Sequence, residues 1–137
     1  MGLILDSDYI IAGERRGLSV LQILEQVEEA FGRIEVGISV ITVAELTHGA
    51  YRAKELTRQQ RRLAFVDRVS KDIPVYPVTL EIARRVGRLE GELANRGFTM
   101  AFEDLAVGVT ALQLGYEIAT MNRKHYELIP NLTIVAI

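Results

Sequence analysis

Apolar residues along this 137-residue chain fall into short solid runs and longer stretches at helical spacing. Residues 2–6 are apolar up to Asp6 and read as a short buried strand. Over 18–31, Leu18, Leu21, Leu24 (with Ile23), Val27 and Phe31 recur at the period of an amphipathic helix. Residues 36–40 read as a second strand, after which Thr42 is placed to cap a helix that carries Glu45 three residues on. A helix over 57–70 is expected to open at Thr57. Residues 73–78 hold two prolines and read as extended. The spacing of Ile82, Val86, Leu89 and Leu93 predicts a long helix over 79–95, ending near Asn95 and Gly97. Another helix covers 102–114 and is closed by Gly115. Residues 116–120 and 132–137 read as strands, separated by turn chemistry at Asn122 and Pro130-Asn131.

Strands alternating with helices imply an α/β fold, a mainly parallel twisted sheet covered by helices on both faces. The length suits a single domain over 1–137. In such sheets functional sites form at the carboxyl ends of the strands.

Three acids sit where the apolar pattern leaves little room for charge. Asp6 ends Leu3-Ile4-Leu5, Glu45 lies in Ser39-Val40-Ile41-Thr42-Val43-Ala44-Glu45-Leu46, and Asp104 lies in Phe102-Glu103-Asp104-Leu105-Ala106-Val107. An ionised carboxylate among Leu, Ile and Val is costly unless something compensates it. One cation shared by all three would do so, and carboxylate oxygens suit Mg²⁺ or Mn²⁺. Glu45 and Asp104 also have structural readings, near helix starts where acids favour the helix dipole. Asp6 has no evident capping motif around it.

Composition narrows the chemistry. With 49% hydrophobic and 25% charged residues the chain is of the globular class. The absence of Cys excludes disulfides, thiolate metal sites and a Cys nucleophile, and two histidines, His48 and His125, exclude a His-rich zinc site. No apolar stretch approaches a membrane span, and the N-terminus lacks a basic signal-peptide region. A soluble cytoplasmic protein is expected. The net charge of −2 does not announce a nucleic-acid binder. Basic residues nevertheless cluster at Arg58, Arg61, Arg62, Arg68 and Lys71, at Arg84, Arg85 and Arg88, and at Arg123 and Lys124. These are either solvated helix faces with local acidic partners or phosphate contacts around the acids, and composition does not separate the two.

Asp6-Ser7-Asp8 after a buried strand also resembles the opening motif of haloacid-dehalogenase-type phosphatases, in which the first Asp is a nucleophile. Tyr9 and Ile10 stand where those enzymes usually carry Gly or Thr, and no partner lysine with a downstream Asp pair is evident.

Taken in order, four segments resemble the PIN domain, and more narrowly the VapC-type ribonuclease toxins. Leu3-Ile4-Leu5-Asp6-Ser7 is similar to the family's first strand and acid, and Ile38 to Leu46, followed by Gly49, to its second-acid segment. Phe102 to Leu112 resembles the third-acid helix, and Ala119-Thr120-Met121-Asn122-Arg123-Lys124-His125-Tyr126 with Ile129-Pro130 the last strand and turn. The resemblance implies a PIN-like three-layer fold and a metal-dependent endoribonuclease. It also implies cleavage of structured RNA such as tRNA or ribosomal RNA, a homodimer, and a small antitoxin protein covering the acidic groove.

Asp6, Glu45 and Asp104 would hold one or two Mg²⁺ or Mn²⁺ ions. Many PIN domains carry a fourth acid in the last motif, where this chain has Asn122, with His125 nearby. Asn122 is the expected substitute, through a hydrogen bond to water, ahead of Glu103, with Asp8 a further candidate. Ser7, Thr42, Thr120 and His125 are candidates to orient carboxylates or water. For the hydroxyls a local cap or backbone bond is an equal reading. His48, one turn beyond Glu45, is expected near the acids without a role. Two rivals remain: a PIN-like domain that binds RNA or protein without catalysis, and an Asp-nucleophile phosphatase.

Overall fold

The computed structural model describes residues 1–136, so Ile137, at the end of the strand expected over 132–137, lies outside the described residues. The chain runs β1 (Gly2–Leu5), α1 (Ser7–Arg15), α2 (Val20–Phe31), β2 (Glu35–Ser39), α3 (Val40–Tyr51), α4 (Leu56–Asp72), β3 (Val75–Tyr76). It continues through α5 (Leu80–Asn95), α6 (Phe102–Leu114), β4 (Glu117–Thr120), a 3-10 turn at Arg123–His125, and β5 (Ile134–Ala136).

All five strands are parallel, in the order β3-β2-β1-β4-β5. β1 is therefore central. The chain builds outward from it to one side through β2 and β3, then returns to its other side with β4. The strand order reverses there, and such a point opens a crevice at the carboxyl ends of the strands.

Alternation along β1 builds two cores. Leu3 and Leu5 join Ile10, Val20, Val27, Ile38, Leu46, Val66 and Val69 on one face. Ile4 joins Ile82, Val86, Leu93, Leu105, Ile118, Tyr126 and Ile129 on the other. A strand buried on both faces has no use for a polar position, which is why residues 2–5 are apolar throughout.

Helix boundaries follow capping chemistry. The Ser19 hydroxyl accepts from the Gln22 amide and the Gln22 side chain accepts from the Ser19 amide, so α2 opens on a reciprocal cap. The Thr79 hydroxyl caps α5 with a single bond, accepting from the Ile82 amide at 3.2 Å. Gly115, at φ 70°, closes α6 in the left-handed conformation, as expected of a glycine after the last helical turn.

One helix has no counterpart in the sequence reading: α1 occupies 7–15, with the Asp6 carboxylate capping its first turn. Two expectations need correction. The proposed Thr42–Glu45 capping box does not form. The Ser39 hydroxyl accepts from the Ile41 amide at 3.1 Å, α3 starts at Val40, and Thr42 is buried inside the helix. Likewise α4 starts at Leu56 rather than at Thr57, after Glu55, with no side-chain cap bond. Among the described residues no helix is long and apolar enough to cross a membrane.

One glycine ties this packing to the site. A Cβ at Gly108 would collide with Ile129 Cδ1 and lie 3.3 Å from both Leu132 Cδ2 and Tyr126 Cδ1. Gly108→Ala is expected to destabilise the protein by about 1–3 kcal/mol through overpacking. Denaturant unfolding checks this, and an unchanged midpoint would contradict the close approach.

Candidate active site

Asp6 follows the last residue of β1, and its backbone N–H donates to the Ala119 carbonyl of β4 at 2.9 Å, which prolongs the ladder by one step. The carboxylate is thereby held at the crevice between the two strands, only 6% exposed. Its Oδ1 accepts from the Ser7 amide at 2.8 Å and its Oδ2 from the Thr120 hydroxyl at 2.8 Å. Asp6 thus has the local structural role that its neighbours in sequence did not suggest: it is the N-cap of α1.

Thr120, at the end of β4, is the hub of the site. Its hydroxyl lies 2.8 Å from Asp6 Oδ2 and 3.2 Å from Asp8 Oδ2, and it accepts from the Asn122 amide at 3.0 Å. A hydroxyl has one hydrogen to donate, so it serves one of the two carboxylates at a time. Asp8 Oδ2 also accepts from the Met121 amide at 3.1 Å, which ties α1 to the chain leaving β4. Asp8 Oδ1 is buried with no partner among the described residues.

Glu45 and Asp104 reach the same end of the sheet from α3 and the first turn of α6. Their proximity shows in their proton affinities. Burial, then the charges of Asp6, Asp104 and Glu103, push the Glu45 carboxyl up to about 7, with the Ser7 hydroxyl acting in the opposite direction. Burial raises Asp104, His125 opposes it, and Asp6, Glu103 and Asp8 add to the rise. Asp6 is raised by burial and then by Asp8. The acids therefore share one negative field in which each disfavours the ionised form of the others.

Tyr126 was not among the expected site residues. It is fully buried, and burial together with the Asp6 charge pushes its pKa far up, so its hydroxyl stays neutral. That hydroxyl lies beside Asp6 without closing a hydrogen bond, and the buried Thr42 hydroxyl likewise has no partner among the described residues. The polar neighbours of Tyr126, His125 and Glu127, gave no sequence signal for it.

The remaining candidates are at the rim. The Asn122 side-chain amide lies 2.9 Å from His125 Nε2, and His125 Nδ1 lies 3.9 Å from Asp104 Oδ2. Asn122 thus meets the acids through His125 rather than directly. When the amide donates to Nε2, the neutral ring carries its proton on Nδ1, toward Asp104. Glu103 is exposed yet close enough to raise both Glu45 and Asp104. His48 is exposed, and no hydrogen bond joins it to the acids among the described residues.

The donor chemistry suits a hard divalent cation, since carboxylate and hydroxyl oxygens meet at the centre and Asp8 Oδ1 is buried without a hydrogen-bond partner among the described residues. As the side chains stand, no three His, Asp or Glu residues among those described are gathered closely enough to hold an ion together. Mutual repulsion of the carboxylates is a physical reason for that spacing.

The basic clusters turn out to have local partners in part. Arg68 pairs with Asp72 at 2.9 Å, Lys71 with Asp67 at 3.1 Å and Arg88 with Glu92 at 2.9 Å, each one helical turn apart. Arg123 stands 3.8 Å from Glu127.

Comparison with known proteins agrees with this architecture. A family model described as PIN domain matches residues 3–129. A protein named Ribonuclease VapC from Rickettsia bellii is 28% identical over 137 residues, which cover 100% of this chain and 97% of that protein. The structure of VapBC2 from Rickettsia felis bound to a promoter DNA fragment superposes with a TM-score of 0.80 at 22% identity, covering 100% of this chain and 99% of that one. That of the toxin–antitoxin complex VapBC-5 from Mycobacterium tuberculosis does so with a TM-score of 0.73 at 26% identity, covering 99% and 97%.

Proposed function

Given that the chain belongs to the PIN domain family, we propose that it is a metal-dependent endoribonuclease acting as the toxin of a toxin–antitoxin pair. The observation that carries this reading is the burial of Asp6, Glu45 and Asp104 around the carboxyl end of the sheet, which together with the charge of neighbouring acids raises all three carboxyls. The similar Rickettsia protein is named a ribonuclease, and the similar structures are toxin–antitoxin complexes. A structured RNA is the proposed substrate, a small antitoxin the proposed partner, a homodimer the proposed assembly and the cytoplasm the proposed compartment.

Asp6, Glu45 and Asp104 would hold one or two Mg²⁺ or Mn²⁺ ions. When bound, such an ion acidifies water and offsets charge developing on the phosphate. The chain's own contribution is orientation. The Ser7 amide and Thr120 hydroxyl fix both oxygens of Asp6, so it meets a cation without having to be ordered first. Tyr126 fills the space behind Asp6 with a neutral group and keeps bulk water from that side. His125, beside Asp104, is placed to exchange a proton at Nδ1, and Asn122 sets the orientation of its ring.

Asn122→Ala is expected to slow cleavage by about 10–100-fold, the usual loss when a group that orients the site is removed. Asn122→Asp should tighten Mg²⁺ binding by adding a charge at the rim. Calorimetric titration and cleavage rates check both, and isotherms and rates equal to wild type would make Asn122 a turn residue only.

The reading is tested with purified protein and bulk tRNA, by adding Mg²⁺ back after chelation. Cleavage that stops on chelation and returns with Mg²⁺ supports it. Cleavage indifferent to the chelator, or none at all with fresh Mg²⁺ and Mn²⁺, would overturn it.

A further inference from the structure

Between α1, α3 and α4 lies a cavity of about 60 Å³ whose lining includes Glu14, Glu45, Gly49, Arg62 and Phe65. It places one cation on the wall of a space that also holds a carboxylate of the acidic centre. Arg62 differs from the other basic residues of α4. Arg68 and Lys71 are engaged by Asp72 and Asp67, and Arg58 and Arg61 are exposed. Arg62 is half-buried, and among the described residues no carboxylate lies within ion-pair distance of it. Its Nη1 holds only the Gly49 carbonyl, at a long 3.3 Å. Glu14, across the cavity, feels the Arg62 charge, yet burial outweighs it and the Glu14 carboxyl is raised.

A half-buried guanidinium without an anion is an open valence. The floor between it and Glu45 is clear as well, since a Cβ built on Gly49 would meet nothing within 4 Å. Glu45 and Gly49 are one turn apart, about 6 Å along the helix axis. That rise is comparable with the distance between neighbouring phosphates of a nucleic-acid strand. The acidic centre itself repels a polyanion, so an RNA backbone drawn across it needs a cation of the protein beyond the acids.

We propose that Arg62 binds a phosphate of the RNA strand next to the phosphate attacked at Glu45. The inference rests on the ribonuclease reading and adds to it a residue that holds the substrate's backbone. The contact is to phosphate, so it contributes affinity and placement without reading sequence.

The test is steady-state cleavage of fluorescein-labelled bulk tRNA in Mg²⁺ over a range of salt, with wild type, Arg62→Gln, Arg62→Lys and Arg58→Gln. Arg62→Gln keeps a donor for the Gly49 carbonyl while losing the charge, and its melting curve reports whether the fold is intact. It is expected to raise KM about tenfold, as for loss of one charge-assisted contact, with kcat nearly unchanged. The slope of log KM against log salt should fall by about 0.7, the value for one phosphate of a single strand. Arg62→Lys should keep the wild-type slope. If wild type cleaves but Arg62→Gln has the same KM and slope, Arg62 serves only Glu14 and the inference fails alone. Equal losses in Arg62→Gln and Arg58→Gln would also overturn it, because the effect would then belong to the general charge of α4. If wild type itself cleaves no RNA, the ribonuclease reading falls and this inference with it.

Discussion

Asp6→Asn, Glu45→Gln and Asp104→Asn should each reduce RNA cleavage to background while leaving the folded protein at least as stable as wild type without metal. Loss of activity is expected because each variant would remove one of the three carboxylates proposed to hold the ion. The stability outcome is less obvious and more informative. Each of the three carboxyls is raised by burial and by at least one neighbouring acid, so in the metal-free protein each pays a cost for staying ionised. A neutral isostere removes that cost. The choice of isostere matters at position 6, because Asp6 also caps α1 and accepts from Thr120. Asn is an equally good cap and retains an acceptor, whereas Asp6→Ala should lose about 1 kcal/mol from the cap alone. Cleavage assays beside thermal melts check the set. Variants that cut RNA at wild-type rates would move the activity elsewhere.

Metal and pH should act on stability in opposite senses. The Glu45 carboxyl sits near 7 in the folded protein against 4.5 for its ordinary value. A folded pKa above the unfolded one means that between these values the folded state holds the extra proton. The metal-free protein should therefore lose stability as pH rises through that window, with the whole loss in place above about pH 7. Glu45 is only half-buried, so solvent screening brings its share to about 1 kcal/mol. Asp6 and Asp104, also raised, act in the same direction. A divalent cation binds the ionised form and competes with the proton, so its affinity should climb as Glu45 ionises. At about a hundredfold excess over its dissociation constant it should add about 2.7 kcal/mol of stability. Melting curves from about pH 5 to about pH 8, with and without Mg²⁺, read both effects. A metal-free protein that gains stability over this range, or a melting temperature blind to Mg²⁺, would contradict the account.

Much of the fold was legible because local signals agreed with one another. α5 carries the Thr79 cap, a periodic apolar face and Gly97 just beyond its end, α6 is closed by Gly115, and their bounds came out within a residue of expectation. The parallel sheet followed from the alternation of elements. α1 was missed because Asp6 was read as a ligand and therefore not as a cap, although a carboxylate has lone pairs enough to cap a helix and still face a cation. The start of α3 was misplaced because Ser39 and Thr42 are both competent caps, and the end of β2 decides between them.

At the site, Asp6, Glu45 and Asp104 were legible as acids among apolar residues, and Thr120 as a hydroxyl beside them. The meeting of Asp8 with the Met121 amide, 113 residues away, was not, since it depends on β4 lying next to β1. The approach of His125 to Asp104 depends in the same way on how the 3-10 turn folds back over α6. Tyr126 was hidden by its surroundings: flanked by His125 and Glu127, it looks like a surface residue, and only the packing against Gly108 shows it to be core.

That Asp6, Glu45 and Asp104 hold one cation jointly is tested most directly by calorimetric titration of Mg²⁺ into wild type and into the three single variants. A shared site predicts a saturable isotherm for wild type and a weakened or absent one for Asp6→Asn, Glu45→Gln and Asp104→Asn alike. Three variants that bind Mg²⁺ as wild type does would show that these acids hold no common ion.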